Sequence, residues 1–522
     1  MRSVPEAQSL SLTRPELAVL VSGIASMGLE ILAGRMIAPE FGSSIYTWGS
    51  IIGVFLAALS VGYWQGGQRS TRDPIVDDLA KYLLWAAAYV AFLLFAGDVL
   101  LRASATVPAP PRFAPLVPVT LLFGPPVYFL GFISPYAAEL SGTEHTGAAS
   151  GRVYAIGTIG SIVGAFGTTF LLVPWLGIDP IALFFGVLLV LTAACLSITS
   201  RATWPIVRVG LVIVMLVAAF SVPLFGVAVP GTVVYETETS YQHLQVVDRG
   251  QVRTLYLDNQ PHSAIDLEDP NEHVFTYTRY FHLPLLMTED VDRVLFVGGG
   301  GFTGPRIFAD RYDVEVDVVE IDPEVVRVAK EYFRVNETDS LDIYTGDGRE
   351  YLEETDRTYD LIVLDAYKKA QVPFHLTTRE FFSLAHSRLD EDGILLANVI
   401  SAPSGSGSAF FRAEYKTMSQ EFEQVYAYRT ADSTFVQNVE VVASKQERRL
   451  SMTELERRNR HRDVGYDLGD AIDRTVGPVE TGDVPVLRDS RAPVDRLLDP
   501  MMGRKYVVEG SGKNNGTVVA PG

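Results

Sequence analysis

The sequence predicts two unlike parts: a multipass α-helical membrane bundle in residues 1–230, then a Rossmann-like α/β domain introduced by a small β subdomain. Three observations carry this reading. Apolar residues concentrate in long charge-free runs, the pattern changes to short β-branched segments after Gly231, and a run of glycines follows one of those segments.

Of the 522 residues, 48 % are hydrophobic and 20 % charged, and the mean hydropathy is +0.18. That is too apolar for a disordered chain or an ordinary soluble globule. The net charge of −19 is unevenly placed: residues 1–230 hold 11 Lys/Arg and 11 Asp/Glu, so the acidic excess, 51 against 32, lies wholly in 231–522. So acidic a region repels phosphates, and no nucleic-acid partner is expected. With a single cysteine, Cys195, no intramolecular disulfide and no Cys-based zinc site can form, and no metal is expected. The segment before Leu17 carries acids as well as Arg2 and Arg14 and is followed by further apolar segments, unlike a cleaved signal.

An apolar segment from Leu17 to Ala33, interrupted only by Glu30, is followed by charge-free runs at 41–68, 82–97, 113–138, 153–178, 180–200 and 209–235. Most are long enough to cross roughly 30 Å of hydrocarbon. The 82–97 run is short, and Pro125-Pro126 breaks the 113–138 run. Seven spans would place the acidic region outside by the distribution of Arg2, Arg14, Arg69, Arg72, Lys81, Arg152, Arg201 and Arg208 against Arg102 and Arg112. Six spans, with 82–97 omitted, put both ends in the cytosol and still leave most Lys and Arg there; this arrangement is preferred for a reason given below. Gly157, Gly160, Gly164 and Gly167 form a small-residue stripe suited to close helix packing. Glu30 and Arg35, ionisable groups near hydrocarbon, point either to pairing between helices or to a ligand or transport role.

The second part begins with a β-rich subdomain, 231–290. Val233–Glu238, Leu244–Val247 and Thr254–Leu257 read as strands separated by turns at Arg249-Gly250 and Asp258-Asn259. Residues 291–445 then alternate strands and helices. Strands fit Arg293–Val297, Val314–Ile321, Leu341–Tyr344, Leu361–Leu364, Ile394–Val399 and Val439–Ala443, a helix fits Gly304–Asp310, and Pro323 suits the first position of another. Such alternation implies a mainly parallel sheet covered on both faces. Residues 446–522 read as a charged, loop-rich region with no assigned chemistry.

Glycines at the end of a strand let the backbone turn sharply and approach a ligand, and a carboxylate ending the neighbouring strand can accept both hydroxyls of a ribose. Gly298, Gly299 and Gly300 occupy the first place and Glu320, 20 residues after Gly300, the second. Gly346-Asp347-Gly348 follows the third strand, where Asp347 can accept a bond from an adenine amino group or cap the helix after it. The G-G-G-G-F-T-G pattern lacks the G-x-G-x-x-G spacing of a pyrophosphate site, and no P-loop is present. An adenosyl sulfonium therefore fits better than a dinucleotide. Asp365 ends the fourth strand, where a carboxylate can take a proton from an amine nucleophile or simply cap the next loop.

In order along residues 235–445, Tyr241-Gln242, Leu255-Tyr256-Leu257-Asp258, Val297-Gly298-Gly299-Gly300, Val319-Glu320-Ile321-Asp322, Gly346-Asp347-Gly348 and Tyr359-Asp360-Leu361-Ile362-Val363-Leu364-Asp365 resemble the spermidine synthase, or polyamine aminopropyltransferase, family. The run from Gly34-Arg35 through Ala38-Pro39 to Phe41-Gly42 resembles the multipass half of its fused membrane forms, and Ala492-Pro493-Val494-Asp495 its closing segment. The resemblance implies a class I S-adenosylmethionine methyltransferase-type fold and decarboxylated S-adenosylmethionine as cofactor, contacted by Gln242, Glu320 and Asp347 together with Gly298, Gly299, Gly300 and Gly348. It also implies Asp365 as general base, and Tyr241, His262 and Tyr277 on the substrate side. The implied partners are a small-molecule amine and the lipid bilayer, and a homo-oligomer is compatible with it. Because such cofactors are made in the cytosol, the acidic domain is placed there, below a cell membrane.

Departures fall on the acceptor side. The family's Asp after three glycines is Gly301, its Asp three residues beyond the catalytic one is Lys368, and Lys369 follows; its Gln becomes His262 and its Tyr-His-Glu becomes Thr276-Tyr277-Thr278. Two lost carboxylates and a gained ammonium make the pocket electrostatically poor for a diamine. Methyl transfer from S-adenosylmethionine to another acceptor, and a non-catalytic sensor or transport-coupled protein, are the alternatives.

Overall fold

The computed structural model describes residues 12–42, 44–72, 74–105, 107, 110–141, 146–197, 204–221, 231–369, 372–501, 504, 506–510 and 518–520. Arg2 and Arg201, used above in counting charges, lie outside the described residues. The chain divides into two compact units, Met1–Val227 and Ala228–Gly522.

The first unit is helical: α1 (Arg14–Phe41), α2 (Ile45–Ser70), α3 (Val76–Ala105), α4 (Leu116–Gly131), α5 (Ile133–Leu140), α6 (Thr146–Gly167), α7 (Ile178–Ser197) and α8 (Trp204–Ser221). Thr13 and Glu16 form a capping box that starts α1, with Pro15 in its first turn, and Ser44 caps α2. Among the described residues six stretches are long and apolar enough to cross a membrane: 14–41, 45–70, 76–101, 116–140, 147–172 and 178–197. These six fit a multipass membrane protein. They are not the six expected from sequence. The run at 82–97 sits inside a full-length helix because flanking residues such as Lys81 and Asp98 extend it, and the short apolar helix is Ile206–Ser221.

Nor does Pro125-Pro126 break its segment; α4 continues to Gly131 and the chain re-forms a helix from Ile133. Pro125 removes the N–H that would bond the Leu121 carbonyl, and the Tyr89 hydroxyl donates to that carbonyl at 2.5 Å instead. The glycine stripe is used for packing. A Cβ at Gly160 would stand 2.2 Å from the Leu20 carbonyl oxygen and one at Gly164 2.3 Å from that of Ile24, so α1 and α6 touch backbone to backbone. Arg35 reaches the Val173 carbonyl at 3.5 Å.

In the second unit, β1 (Thr232–Glu238), β2 (His243–Arg249), β3 (Val252–Leu257) and β4 (Gln260–Asp266) form an antiparallel sheet in sequential order. The fourth strand was not expected, because Gln260-Pro261-His262-Ser263 lacks apolar alternation; it follows from the two-residue turn at Asp258-Asn259, both at positive φ (51° and 61°), which folds the chain back on β3. After the short helix α9 (Thr276–Arg279) come β5 (Arg293–Val297), α10 (Thr303–Arg311), β6 (Glu315–Glu320), α11 (Pro323–Tyr332), β7 (Leu341–Thr345), α12 (Gly348–Glu354), β8 (Tyr359–Leu364), α13 (Arg379–Ser387), β9 (Leu389–Ser401), α14 (Ala409–Met418), β10 (Gln424–Arg429) and β11 (Gln437–Ser444).

Their seven-stranded sheet has the order β10-β11-β9-β8-β5-β6-β7. Strands β9, β8, β5, β6 and β7 are parallel, while β11 runs antiparallel to both β9 and β10. That order, with the reversed strand inserted between the fifth and sixth, is the class I methyltransferase-type arrangement. Helices α10 to α14 alternate with the strands, and Val294, Phe296, Val318, Leu361, Val363 and Leu395 are fully or almost fully buried in the core beneath them. The carboxyl ends of β5, β6, β7, β8 and β9 meet along one edge, where ligands bind in such sheets.

The described residues within 446–510 are rich in loops, as expected, but pack onto the sheet. They contain α15 (Met452–His461), α16 (Gly469–Asp473), α17 (Val494–Leu498) and β12 (Tyr506–Val508), and Leu455, Ile472, Leu487, Leu498 and Tyr506 belong to the same core as the sheet. Arg458 donates to the Leu286 and Met287 carbonyls at 3.0 and 3.1 Å. The charged sequence conceals this, because guanidinium groups here satisfy buried backbone rather than solvent.

Candidate active site

The site grows from the ends of β5, β6, β7 and β8. Gly298 has φ +96°, and a Cβ there would lie 2.3 Å from the Asp365 carbonyl oxygen, so only glycine lets β5 turn beside β8. The turn presents its amides to Glu320 at the end of β6: Glu320 Oε2 accepts from Gly299 N at 2.8 Å and Gly300 N at 3.4 Å, and Oε1 from Asp322 N at 3.0 Å. Burial pushes this carboxyl up, and those three amides oppose the shift. Oε1 keeps a lone pair for a ligand hydroxyl, whereas Oε2 is already approached by two amides, the second of them long.

Asp322 caps α11 and accepts from Thr239 Oγ1 at 2.7 Å and Gln242 Nε2 at 3.2 Å, which fixes the β1–β2 connection against the end of β6. Gln242 is buried and its Oε1 has no hydrogen-bond partner, an unmet acceptor suited to an N–H donor of a ligand. Its neighbour Tyr241 is not held in the site: the ring is half exposed, and its backbone N–H donates to Thr239 Oγ1 at 3.0 Å. The substrate-side expectation for Tyr241 is therefore corrected. In an adjacent pair whose second side chain turns in, the first faces out.

Asp347 ends β7 and caps α12, its Oδ1 accepting from Arg349 N at 2.8 Å and Glu350 N at 3.1 Å, while Gly348 starts that helix. Oδ2 pairs with His375 Nε2 at 2.8 Å. Burial alone would raise the Asp347 carboxyl, but the helix amides and His375 hold it below the usual carboxylate range. A Cβ at Gly348 would be 2.3 Å from Val297 Cγ1, so α12 packs directly on β5.

Asp365 lies deeper. Burial pushes its carboxyl up to about 6, opposed by a bond from Asn398 and assisted by the charge of Glu320. Asn398 Nδ2 donates to Asp365 Oδ1 at 2.7 Å, Asn438 Nδ2 to Asn398 Oδ1 at 2.7 Å, and the Tyr506 hydroxyl to Asn438 Oδ1 at 2.8 Å. This chain of bonds crosses from β8 over β9 and β11 to β12 and fixes the rotamer of Asp365. A cavity beside it is lined by His262, Ser263, Tyr277, Gly298, Gly300 and Thr303. Burial, then the nearby Lys368, brings the His262 imidazole down to about 4, so it is neutral. Tyr277 donates to the His262 carbonyl at 2.7 Å.

The two departures at the acceptor side have structural causes. A Cβ at Gly301 would sit 2.6 Å from Ser263 Oγ, so Ser263 fills the space a carboxylate side chain needs. Lys368 does not carry an uncompensated charge into the pocket: Nζ pairs with Asp258 Oδ2 at 3.0 Å, and Lys369 Nζ donates to the Arg504 carbonyl at 2.5 Å. The gained ammonium is thereby paired, while the two carboxylates remain absent.

Sequence reasoning missed Asn398, Asn438, Tyr506 and the contact of His375. The first two carried a signal, as polar residues inside otherwise apolar strands; Tyr506 and His375 carried none.

Residues 274–454 match the family model of the spermine/spermidine synthase domain. The match lies within the second unit. A polyamine aminopropyltransferase of Vibrio vulnificus is 29 % identical over 234 residues, which are 43 % of this chain and 75 % of that one. One from Chromobacterium violaceum is 31 % identical over 159 residues, covering 30 % of this chain and 60 % of the relative. The crystal structure of a probable spermidine synthase from Corynebacterium glutamicum aligns with 49 % of this chain and 100 % of its own, at 22 % identity and a TM-score of 0.40. Every residue placed above from β5 to β11 belongs to the synthase domain as matched, whereas Gln242, His262 and Tyr506 lie outside it.

Proposed function

We propose that the chain is a membrane-bound aminopropyltransferase that moves an aminopropyl group from decarboxylated S-adenosylmethionine to a small amine, with Asp365 as general base. The observation that carries this is the environment of Asp365. A carboxyl with a pKa of about 6 is mostly ionised at neutral pH yet basic enough to take a proton. Its position at the end of β8, held by Asn398 beside the glycine turn, supports this reading, since ligands of such sheets meet the strand ends.

Glu320 holds the ribose, the unmet Gln242 Oε1 takes an N–H donor, and Asp347, fixed by α12 and His375, faces the adenine. When bound, the sulfonium nucleoside supplies an aminopropyl carbon activated for displacement. Asp365 orients the lone pair of the amine and accepts its proton as the new N–C bond forms, and the electron pair of the broken C–S bond stays on sulfur. His262, being neutral, adds no positive charge beside the incoming amine. On this reading the six apolar helices span the cell membrane and the acidic 231–522 region lies in the cytosol, where such cofactors are made; a homo-oligomer is compatible with this arrangement. By this reading 231–290 is the β subdomain, 291–445 the cofactor domain, and 446–522 the region that completes the site.

Purified full-length protein in detergent, supplied with decarboxylated S-adenosylmethionine and putrescine, should yield spermidine and methylthioadenosine in equal amounts by mass spectrometry. Methyl transfer from S-adenosylmethionine, or cofactor binding with no turnover of any amine, would overturn the assignment. A reporter fused after Gly231 that is active only outside the cell would overturn the cytosolic placement.

A further inference from the structure

Glu440 is a buried acid that the chemistry above does not use. It lies on β11, directly opposite Asn398 of β9 and Tyr428 of β10, and Asn398 is in turn bonded to Asp365. Opposed residues of neighbouring strands point to the same face, so Asp365, Asn398 and Glu440 form one row across three strands, with Asn438, two residues before Glu440, on that face too. The side chain is fully buried, and among the described residues neither carboxyl oxygen has a hydrogen-bond partner.

Three tyrosines stand near enough to respond to its charge. Burial above all, with Glu440 among the smaller contributions, pushes the phenols of Tyr277, Tyr280 and Tyr506 up. Each hydroxyl is nevertheless committed elsewhere: Tyr277 to the His262 carbonyl, Tyr280 to the Arg429 carbonyl at 2.9 Å, and Tyr506 to Asn438. These tyrosines thus share the electrostatic neighbourhood of Glu440, yet among the described residues none donates to it. Native structures seldom leave a buried acceptor unmet without reason. A carboxylate near aromatic rings is chemically matched to an organic ammonium, which brings both charge and N–H donors. Tyr277 also lines the cavity beside Asp365.

We propose that Glu440 receives the second, charged nitrogen of a diamine acceptor whose first nitrogen reacts beside Asp365, which makes Glu440 the residue that selects diamines over monoamines. The two acids stand two strands apart, roughly 10 Å between backbones, a separation that a flexible diamine with one charged end bridges. Burial pushes the Glu440 carboxyl well above the usual carboxylate range, so an incoming ammonium is what ionises it, on a strand away from Gly301 and Lys368.

This inference rests on the aminopropyltransferase reading, and the test separates the two. Steady-state kinetics on the full-length chain should compare putrescine, cadaverine and butylamine as acceptors for the unaltered protein, Glu440→Gln and Glu440→Asp. Glu440→Gln should raise KM for putrescine about tenfold or more, leave KM for decarboxylated S-adenosylmethionine unchanged, and leave butylamine turnover unchanged. Glu440→Asp, which withdraws the carboxylate by one methylene, should shift preference from putrescine toward the longer cadaverine, and it keeps the test available if the glutamine variant does not fold. Unaltered diamine preference in either folded variant would overturn the role of Glu440 while leaving the transferase reading standing. No transfer by the unaltered chain would remove both.

Discussion

The edges proposed for the cofactor and for the acceptor both use carboxyl groups at least partly withdrawn from solvent, but they treat them in opposite ways. At the cofactor edge, Glu320 accepts from three backbone amides, and Asp347 from two amides and His375. At the acceptor edge, Asp365 receives one amide side chain and Glu440 nothing. The difference follows what each edge is proposed to hold. A ribose or an adenine offers neutral donors, so its carboxylate must be kept charged and immobile by the protein itself. An amine brings its own charge and protons, so the protein leaves the carboxyl's acceptor capacity unmet.

The largest effect should come from the acceptor edge. Asp365→Asn should lower turnover by about 10² to 10⁴ while cofactor affinity measured by calorimetry stays nearly unchanged. The same variant should be more stable at pH 8. The Asp365 pKa rises from about 3.9 unfolded to about 6 folded, so the stability tied to its protonation is present below pH 4 and lost as pH rises through 6. Removing the titration should gain about 2–3 kcal/mol at pH 8, with the difference in thermal midpoint shrinking toward pH 4. An equal midpoint at both pH values would mean that Asp365 titrates normally and that the two edges are not distinct.

At the cofactor edge, Glu320→Ala should weaken S-adenosyl ligand binding about tenfold or more, since a charge-assisted bond is worth roughly 1.5–3 kcal/mol. Calorimetry would measure it, and unchanged affinity would show that the three amides, and not a ligand, are what this carboxylate serves.

A smaller change sharpens the contrast. Asn398 lowers the Asp365 pKa by its hydrogen bond, so Asn398→Ala should move the acid limb of the pH–rate profile upward from about 6 by roughly one unit. A profile that loses height without moving would reduce Asn398 to packing. Smallest of all, Lys368→Met should cost about 1 kcal/mol in stability and change the KM for putrescine less than about threefold, because Lys368 is already neutralised by Asp258. A large gain in diamine affinity would restore the view that its charge repels the acceptor.

The cofactor edge, and with it Asp365 of the acceptor edge, was legible in the sequence because these residues follow strand ends in order: the glycines after β5, Glu320 at the end of β6, Asp347 after β7 and Asp365 after β8. Local order along the chain is enough to place such groups. The rest of the acceptor edge is assembled across strands that are distant in sequence, and there the reading stopped. Asn398 meets Asn438 only because β11 runs antiparallel to β9, and Tyr506 joins them from a region that reads as charged loop. Lys368 was misjudged for a similar reason, since its partner Asp258 belongs to the β subdomain more than a hundred residues earlier. In the helical unit, apolar composition identified the bundle but not which helices are long, because Tyr89 rescues the carbonyl freed by Pro125 from a different helix.

The bond from Tyr506 to Asn438 has a consequence for biosynthesis. A ribosome releases the glycine turn, Glu320 and Asp365 well before it releases Tyr506, so a nascent chain can shape the nucleoside edge while the polar chain behind Asp365 still ends on an unpaired amide. During that interval the half-built domain is ligand-ready on one side and chemically idle on the other.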